Sequence, residues 1–400
     1  MVLAPRRMVR SIVVLVLSLS FCIWQTKSLI NSLPRPQYIG EDLFTIENER
    51  LIQARNGIGQ NGLTDQKAQE LCSLYSWPVY RPPESNNLNT PRKIYDIFLL
   101  STELDWLEIR LNELNDHVDY FIIVEAATTF TNRPKPTLLT DPVHWNKFAR
   151  FHHKIIHHLV DNEGEVSYSA LDHEGWQRNA GFTQVFPTLG QPGAHHATSA
   201  AAQPAAAPQL GDVLLVADID EIPRPATLTL LRTCDFPRRV NLRSKFYYYS
   251  FQWLHQGPDW AHPQATYYEG LEKTIKPDDL RMGVGGGSIM RNWFGKRADL
   301  FNAAWHCSSC FGTVAEMQTK IRSFSHTKFN RPEFTDKARI VERVRKGVDL
   351  FDRAGEVYER VSVNEDVPGY LSKGREGRER FGYLIDRDGV DGGFKNFAEG

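Results

Sequence analysis

The 400-residue chain lacks the features that assign many sequences to a class at once. Its 47 Lys and Arg residues are balanced by 48 Asp and Glu residues, so the formal net charge is -1 and no basic footprint for nucleic acid is present. The glycine-rich stretch 283–287 lacks the Gly-Lys-Ser/Thr ending of a phosphate-binding loop. No Asn-x-Ser/Thr acceptor occurs, so N-glycosylation gives no clue to the compartment. A bound metal ion can still supply positive charge for an anionic substrate.

Cysteine is also scarce, with five residues at Cys22, Cys72, Cys234, Cys307 and Cys310. Only Cys307 and Cys310 have metal-like spacing, and no second Cys-x-x-Cys completes a zinc site. A disulfide, a redox pair and two buried thiols are all compatible with that spacing.

One long hydrophobic run is present, Ser11–Trp24, and three arginines precede it. A positive flank, an apolar run and a terminal Trp are typical of a membrane signal. The run is shorter than the usual span of about 20 residues, and a cleaved signal peptide is the alternative. We expect residues 1–26 to form a cytoplasmic tail and an uncleaved anchor, with the body of the protein in the lumen or outside.

The remainder of the chain divides by composition. Residues 27–91 are interpreted as a stem with one short helix near 65–75. An α/β pattern occupies 92–385 and is interrupted at 190–211 by a low-complexity stretch that we expect to be a disordered insertion. Residues 386–400 are expected to be a flexible tail.

The body begins with alternating strand and helix patterns. Residues 94–100 and 119–124 are apolar runs typical of strands, and the leucines of 104–114 between them have helical spacing. This arrangement predicts a right-handed βαβ unit with parallel strands. Residues 154–160 predict a third strand. The expected fold class is therefore α/β, with a mostly parallel sheet flanked by helices.

The richest chemistry follows the apolar run 213–217, which predicts a strand buried on both faces. Asp218 and Asp220 come at its carboxyl end, where open α/β sheets hold ligands. If the backbone stays extended, both side chains point the same way. Two close carboxylates repel unless a cation lies between them, and oxygen ligands suit Mg²⁺ or Mn²⁺ with a substrate diphosphate. A solvated turn is the ordinary interpretation of an isolated Asp-x-Asp.

Four segments in chain order resemble glycosyltransferase family seventeen over roughly residues 95–383. They are Asp105–Leu114, Phe121–Ala126, Ala217–Pro223 and Trp305–Phe311. The resemblance implies a GT-A-like nucleotide-diphospho-sugar transferase fold and an inverting transferase that uses UDP-GlcNAc. It also implies β-1,4 transfer to a mannose of an N-glycan by a type II Golgi membrane protein whose catalytic domain is lumenal.

The same resemblance assigns candidate ligands to the metal and the donor. Its acidic motif falls on Asp218 and Asp220, with Glu221 adjoining, and its Trp-His-Cys segment falls on His306. We expect Asp218, Asp220 and His306 to hold Mn²⁺ or Mg²⁺, with Asp218 also near the donor. Glu125 resembles the acidic residue that many GT-A enzymes place near the nucleotide.

Further roles are expected for four residues. Arg178 is expected to pair with the diphosphate or with the acidic motif. Inversion needs a carboxylate that takes the proton of the acceptor hydroxyl, and Glu269 is the candidate for this base. An ordinary surface position is the alternative for both. The resemblance also brings a local disulfide between Cys307 and Cys310 in an oxidising lumen.

Two other functions remain open. A metal-dependent phosphohydrolase also uses a strand-terminal Asp, as nucleophile on phosphorus, but its motif usually lies on the first strand. A membrane-tethered glycan-binding protein without turnover is the second, and the intact Asp218, Asp220 and His306 argue against it.

Overall fold

The computed structural model describes residues 65–86, 91–191, 200–284 and 297–395, all within one unit that comprises residues 39–400. The predicted anchor, residues 1–26, lies outside the described residues. No helix in the described part of the chain is long and apolar enough to cross a membrane.

Ten strands of the described chain form one sheet. They are β1 (Ile94–Leu99), β2 (Tyr120–Glu125), β3 (Ile155–Leu159), β4 (Val213–Asp218), β5 (Glu221–Pro223), β6 (Arg239–Tyr248), β7 (Ser250–His255), β8 (Gln264–Tyr267), β9 (Arg297–Ser308) and β10 (Tyr358–Arg360).

The α-helices are numbered in the same way. They are α1 (Asp65–Ser73), α2 (Leu104–Leu114), α3 (Pro142–Lys147), α4 (Ala170–Thr183), α5 (Pro225–Thr233), α6 (Pro277–Arg281), α7 (Val314–Ser323), α8 (Lys337–Lys346), α9 (Gly369–Ser372) and α10 (Arg375–Arg380).

One half of the sheet is parallel and the other half is not. Strands β3, β2, β1 and β4 lie side by side in that order and run parallel, which confirms the predicted βαβ unit β1–α2–β2. Beyond β4, the strands β8, β6, β7 and β10 pair antiparallel. Strand β9 runs parallel to β6 and antiparallel to β5. The sheet is therefore mixed, and the expectation of a mostly parallel sheet was wrong outside β1–β4.

Both faces of the parallel half are covered because alternate side chains of each strand point to opposite faces. On one face, Ile94 and Phe98 of β1 belong to an apolar cluster with the leucines of α2. On the other face, Tyr95 and Ile97 pack with Phe182 of α4. Continuous apolar strands are what a sheet covered on both faces requires.

Part of the predicted stem belongs to the folded body. Helix α1 matches the short helix predicted there, and its Cys72 is fully buried and forms a disulfide with Cys234, just after α5. The Arg92 guanidinium also lies 3.9 Å from the ring centre of Tyr80. The folded body therefore includes residues 65–86, ahead of the predicted boundary at 92.

Part of the predicted insertion is ordered as well. Ala200, Ala201 and Ala206 are fully buried and join the cluster that contains Phe182 and Phe186. Residues 192–199 lie outside the described part of the chain. The small apolar side chains of the insertion pack into the core, and the amino-acid composition of the stretch does not indicate this packing.

The predicted flexible tail is held against the body by a few buried residues. Arg387 is only 1% exposed and donates hydrogen bonds to the carbonyl oxygens of Tyr249 at 2.9 Å and Gly392 at 3.0 Å. Phe394 is buried nearby, 4.8 Å from the Arg387 guanidinium. One buried arginine thus fixes a segment whose glycine-rich composition had suggested flexibility.

Candidate active site

The acidic motif lies in a turn and not in a continued strand. Strand β4 ends at Asp218, residues 219–220 turn, and β5 begins at Glu221. The condition of an extended backbone through Asp220 is therefore not met, and the Glu221 carboxylate accepts a hydrogen bond from the Asp218 N–H at 2.8 Å across the turn. Asp218 and Asp220 nevertheless line the same cavity.

A buried arginine of α2 holds this turn from below. Arg110 Nη1 donates to the backbone oxygens of Asp218 and Ile219, each at 3.3 Å, and of Glu221 at 2.6 Å. The same guanidinium forms an ion pair with Asp96 of β1 at 2.6 Å, and both side chains are fully buried. Arg110 lies in one of the four segments that resembled the family, but its role was not recognised from the sequence.

Strand β9 holds the turn from the other side. Glu221 of β5 is the register partner of His306, and the Cys307 N–H donates to the Asp220 carbonyl oxygen at 3.3 Å. The buried Glu221 carboxylate also accepts from Trp260 Nε1 at 2.7 Å. This pairing brings His306 to the acidic motif across 86 residues of sequence, as the resemblance had predicted for those two segments.

Arginines compensate the charge of Asp218. Arg281 Nη2 lies 2.6 Å from Asp218 Oδ2, and Arg178 Nη2 lies 3.4 Å from Oδ1. Burial raises the pKa of Asp218 and so does Glu221, but Arg281 and Arg178 outweigh them, so the pKa lies below its ordinary value. Arg281 also binds both carboxylate oxygens of Glu221 at 2.8 Å. The structure thus places Arg178 against the acidic motif, one of the two expected positions.

Asp220 is not compensated in this way. No arginine or lysine forms an ion pair with its carboxylate among the described residues. Burial raises the pKa of Asp220 to about 7, with the carboxylates of Asp218 and Glu221 adding to the rise and Lys320 opposing it. A carboxylate in this state favours a proton or a cation.

His306 lies beside Asp220, with 3.9 Å between its Nε2 and Asp220 Oδ2. Burial lowers the pKa of His306 to about 4, so the imidazole is neutral near pH 7 and has a lone pair available for a metal. Its ring is stacked on Phe246 with the ring centres 5.0 Å apart. Its Nδ1 is buried and has no hydrogen-bond partner in the described part of the chain.

Lys320 of α7 supplies positive charge in the same cavity. Its Nζ lies 3.0 Å from Glu103 Oε1. Burial lowers the pKa of Lys320, but Glu103 and Asp220 outweigh that effect, so the pKa lies above its ordinary value and the side chain is charged. Nothing in the local sequence of Lys320 indicated this position.

Asp218, Asp220, His306 and Lys320 line one cavity, which has a volume of about 340 Å³. One wall comes from the carboxyl ends of β1 and β2, through Leu99–Ser101 and Thr128–Phe130. Another part of the lining is aromatic. Phe324, Phe329 and Phe351, here called the aromatic wall, are half-buried, and their ring planes lie within 26° of one another.

Three predicted site residues lie outside the cavity lining: Arg178, which still pairs with Asp218, and Glu125 and Glu269, which do not. The Glu125 carboxylate is fully buried and accepts hydrogen bonds from the backbone N–H groups of Leu138 at 2.6 Å and Leu139 at 2.9 Å, and it also pairs with His157. Glu269 pairs with Arg238 at 2.5 Å. Neither carboxylate pairs with a residue of the acidic motif. No signal in the sequence indicated that Glu125 would bind Leu138, Leu139 and His157, or that Glu269 would bind Arg238.

The expected disulfide between Cys307 and Cys310 is present. The expected metal cluster is not assembled as three converging ligands: no group of three or more His, Cys, Asp or Glu side chains in the described chain is arranged to hold a metal ion. The reason lies in Asp218, whose two oxygens face Arg281 and Arg178.

Comparison with known families decides the class of protein. The model described as "Glycosyltransferase family 17" matches residues 8–276 and 289–368. The chain belongs to glycosyltransferase family 17. Its enzymatic class is therefore that of a glycosyltransferase, with a mixed α/β sheet that carries the acidic turn at the carboxyl end of β4.

Two relatives carry the same name, β-1,4-mannosyl-glycoprotein 4-β-N-acetylglucosaminyltransferase. The protein of Rattus norvegicus is 25% identical over 389 residues, which cover 86% of this chain and 68% of the relative. The protein of Homo sapiens is 24% identical over 372 residues, which cover 84% of this chain and 65% of the relative. The chain thus spans about two thirds of the length of these family 17 relatives.

A solved structure is also similar, the mannosyltransferase PcManGT from Pyrobaculum calidifontis in complex with GDP-Man and Mn²⁺. It is 12% identical, covers 64% of this chain and 67% of its own, and has a TM-score of 0.30.

Proposed function

We propose that this chain transfers N-acetylglucosamine from UDP-GlcNAc, with inversion and in β-1,4 linkage, to a mannose of an N-glycan, and that it uses Mn²⁺ or Mg²⁺ on a GT-A-type fold. The names of the family 17 relatives support the donor sugar, the linkage and the mannose acceptor. The observation that carries the proposal is the position of Asp220 beside His306 in the cavity wall, because a buried carboxylate with a raised pKa next to a neutral imidazole is a donor set that suits a divalent cation.

The donor atoms fit a divalent cation. At 3.9 Å, Asp220 Oδ2 and His306 Nε2 are too far apart for a hydrogen bond. Asp220 and His306 would therefore be the residues that hold a divalent cation, which takes oxygen and nitrogen ligands. Asp218 pairs with Arg178 and Arg281, so it would assist the cation through a bridging water and not by a direct bond. Such ions ordinarily complete their shell with water and substrate phosphates.

The reaction needs charge stabilisation for the leaving diphosphate. Asp220 and His306 would hold a divalent cation whose positive charge would stabilise the leaving diphosphate. Lys320 adds a fixed positive charge in the same cavity, and Arg110 fixes the turn so that little reorganisation is needed. A base must take the proton of the acceptor hydroxyl, and Glu269 remains a prediction for that role.

The aromatic wall is proposed to receive the acceptor. Its three residues line the same cavity as the carboxyl ends of β1 and β2, and an apolar ring face suits the apolar face of a sugar. Phe329→Ala should then raise the KM for the acceptor glycan while the KM for UDP-GlcNAc stays the same.

We also propose that the enzyme is a type II Golgi membrane protein with its catalytic body in the lumen. The apolar run 11–24 behind its arginines supports an anchor, and the disulfides Cys72–Cys234 and Cys307–Cys310 favour an oxidising compartment.

The test is a donor screen. The purified chain is incubated with each common nucleotide sugar, an N-glycan acceptor and Mn²⁺, and nucleotide release and the glycan product are measured. We expect turnover with UDP-GlcNAc, its loss in EDTA, and its recovery with Mn²⁺. Full activity in EDTA rejects the metal, and preference for another sugar nucleotide rejects the donor. Phosphate release from simple phosphoesters would instead support a phosphohydrolase, and glycan binding without nucleotide release would support a binding protein.

A further inference from the structure

A small hairpin projects into the cavity after β2. Residues 127–135 fold back on themselves, with the Lys135 N–H donating to Ala127 O at 2.9 Å and the Thr129 N–H donating to Arg133 O at 2.8 Å. The Glu125 carboxylate fastens its base by binding the N–H groups of Leu138 and Leu139. Thr128, Phe130 and Lys135 of this hairpin line the cavity.

The proton of the Thr128 hydroxyl is directed away from the cavity. Thr128 Oγ1 lies 3.0 Å from Nε2 of the buried His173, whose Nδ1 pairs with the Glu165 carboxylate. Gln177 Nε2 lies 2.9 Å from the same His173 Nε2 and also reaches Thr128 O at 3.5 Å. A carbonyl oxygen only accepts, so this end of Gln177 is its NH₂ group.

These neighbours assign the His173 tautomer. Because Gln177 donates to His173 Nε2, that nitrogen carries no proton, and the Nδ1–H donates to Glu165. Thr128 Oγ1 lies 3.0 Å from the same unprotonated nitrogen, so its O–H is the second donor and shares the single Nε2 lone pair with Gln177. Toward the cavity, Thr128 Oγ1 has only lone pairs left, so a ligand that touches it must present an O–H or N–H.

Lys135 adds an independent observation on the same hairpin. Its Nζ is buried and has no hydrogen-bond partner within the described residues, although the residue lines the cavity. Burial lowers the pKa of Lys135, while Glu125 and Glu103 oppose that effect. A buried ammonium without a hydrogen bond is costly unless a ligand provides an acceptor, and an anionic oxygen is the most favourable one.

We propose that the hairpin 127–135 holds the nucleoside diphosphate of the donor, with Lys135 binding a phosphate oxygen and Thr128 accepting a hydrogen bond from a ribose hydroxyl or a base N–H. This rests on the proposed function and extends it to the nucleotide subsite. The hairpin follows the carboxyl ends of β1 and β2, where ligands of open α/β sheets bind. A neutral acceptor glycan has hydroxyls for Thr128 but no anion for Lys135, whereas a nucleotide has both. Glu165 and His173 are positioning residues that act through Thr128.

The test is equilibrium binding of UDP to the full chain with Mn²⁺, compared with 2′-deoxy-UDP, 3′-deoxy-UDP and N3-methyl-UDP. The wild type should bind one of these analogues about tenfold more weakly than UDP, the loss expected for one hydrogen bond. Thr128→Val should bind UDP about tenfold more weakly and no longer distinguish that analogue, while Thr128→Ser should restore the distinction. Thr137→Val, outside the cavity lining, is the matched control.

The phosphate contact is tested in the same assay with uridine as the phosphate-free ligand. Lys135→Met should weaken the binding of UDP at least tenfold and leave the binding of uridine unaffected. Lys147→Met, at an exposed position, should change neither affinity. Glu165→Ala should reduce the analogue selectivity, and Glu165→Gln should keep it because the amide oxygen still accepts from His173 Nδ1. A melting curve for each variant shows that it is folded.

The outcomes separate this proposal from the proposed function. If Thr128→Val and Lys135→Met bind UDP and its analogues as the wild type does, the hairpin proposal is wrong even if transfer from UDP-GlcNAc is confirmed. The hairpin proposal is also wrong if these two variants raise the KM for the glycan and leave the affinity for the nucleotide unchanged. If the wild type binds GDP and not UDP, the proposed donor fails, and the deoxyribose comparison on GDP still tests the hairpin.

Discussion

Arg110 and Asp96 form a fully buried ion pair at 2.6 Å, and the guanidinium of that pair also binds the backbone of the Asp218–Asp220 turn. The position of the acidic motif thus depends on an ion pair between α2 and β1. Neither Arg110 nor Asp96 lines the cavity. Stability and activity are coupled at this point.

Arg110→Met should therefore destabilise the protein strongly. It leaves the Asp96 carboxylate buried without its partner and removes the donor to three carbonyl oxygens, for a loss of about 3–5 kcal/mol in the free energy of unfolding. Chemical denaturation measures this. Arg375→Met breaks the exposed Arg375–Glu379 pair and should cost less than about 0.5 kcal/mol. Similar losses in both variants would contradict the assigned role of Arg110.

Asp220→Asn should remove activity without destabilising the metal-free protein. The substitution replaces a buried carboxylate, whose pKa is raised to about 7, with a neutral amide of the same shape. Mn²⁺ should raise the melting temperature of the wild type, because a ligand that binds only the native state stabilises it, and should not raise that of Asp220→Asn. Asp218→Asn serves as the comparison, since it removes a partner of Arg281 and Arg178 and should lower the melting temperature. An equal rise with Mn²⁺ in wild type and Asp220→Asn would rule out Asp220 as a ligand.

The metal-free protein should show two opposing pH dependences at this site. The pKa of Asp220 is raised from 3.8 to about 7, so the native state holds a proton that the unfolded state has lost, and stability from this group falls as pH rises from about 4 to 7. The pKa of His306 is lowered from 6.5 to about 4, so the unfolded state binds the extra proton, and stability from this group falls as pH falls from 6.5 to about 4.

Single substitutions should separate the two effects. As pH rises from 4 to 7, the melting temperature of Asp220→Asn should rise relative to that of the wild type. Over the same range the melting temperature of His306→Asn should fall relative to that of the wild type. Melting temperatures in EDTA across this range provide the measurement. Parallel curves for the wild type and both variants would show that neither group titrates as the structure indicates.

The two disulfides should differ in their effect on stability. Cys72–Cys234 closes a loop of sequence separation 162, whereas Cys307–Cys310 spans a separation of 3. Chain entropy assigns roughly 5 kcal/mol to the first and about 1.6 kcal/mol to the second. Cys72→Ala with Cys234→Ala should therefore lower the melting temperature far more than Cys307→Ala with Cys310→Ala. The reverse order would mean that the short disulfide stabilises the native state by holding β9 beside the acidic turn.

The sequence alone determined the elements whose signal is local. Apolar runs located β1, β2, β3 and β4, and leucine spacing located α2, because burial on a sheet face or a helix stripe imposes a short period on the residues themselves. The ordered motifs also identified Asp220 and His306 as neighbours, through a family resemblance that the family match bears out.

Only the tertiary structure decided which charges neutralise which. Arg281 and Arg178 approach Asp218 from 63 and 40 residues away, Lys320 reaches the cavity from α7, and Glu125 and Glu269 turn to other partners. Arg387 similarly fixes a tail that composition described as flexible. An ion pair depends on the distance between two atoms in the folded chain, and residue identity and spacing along the sequence carry no record of that distance.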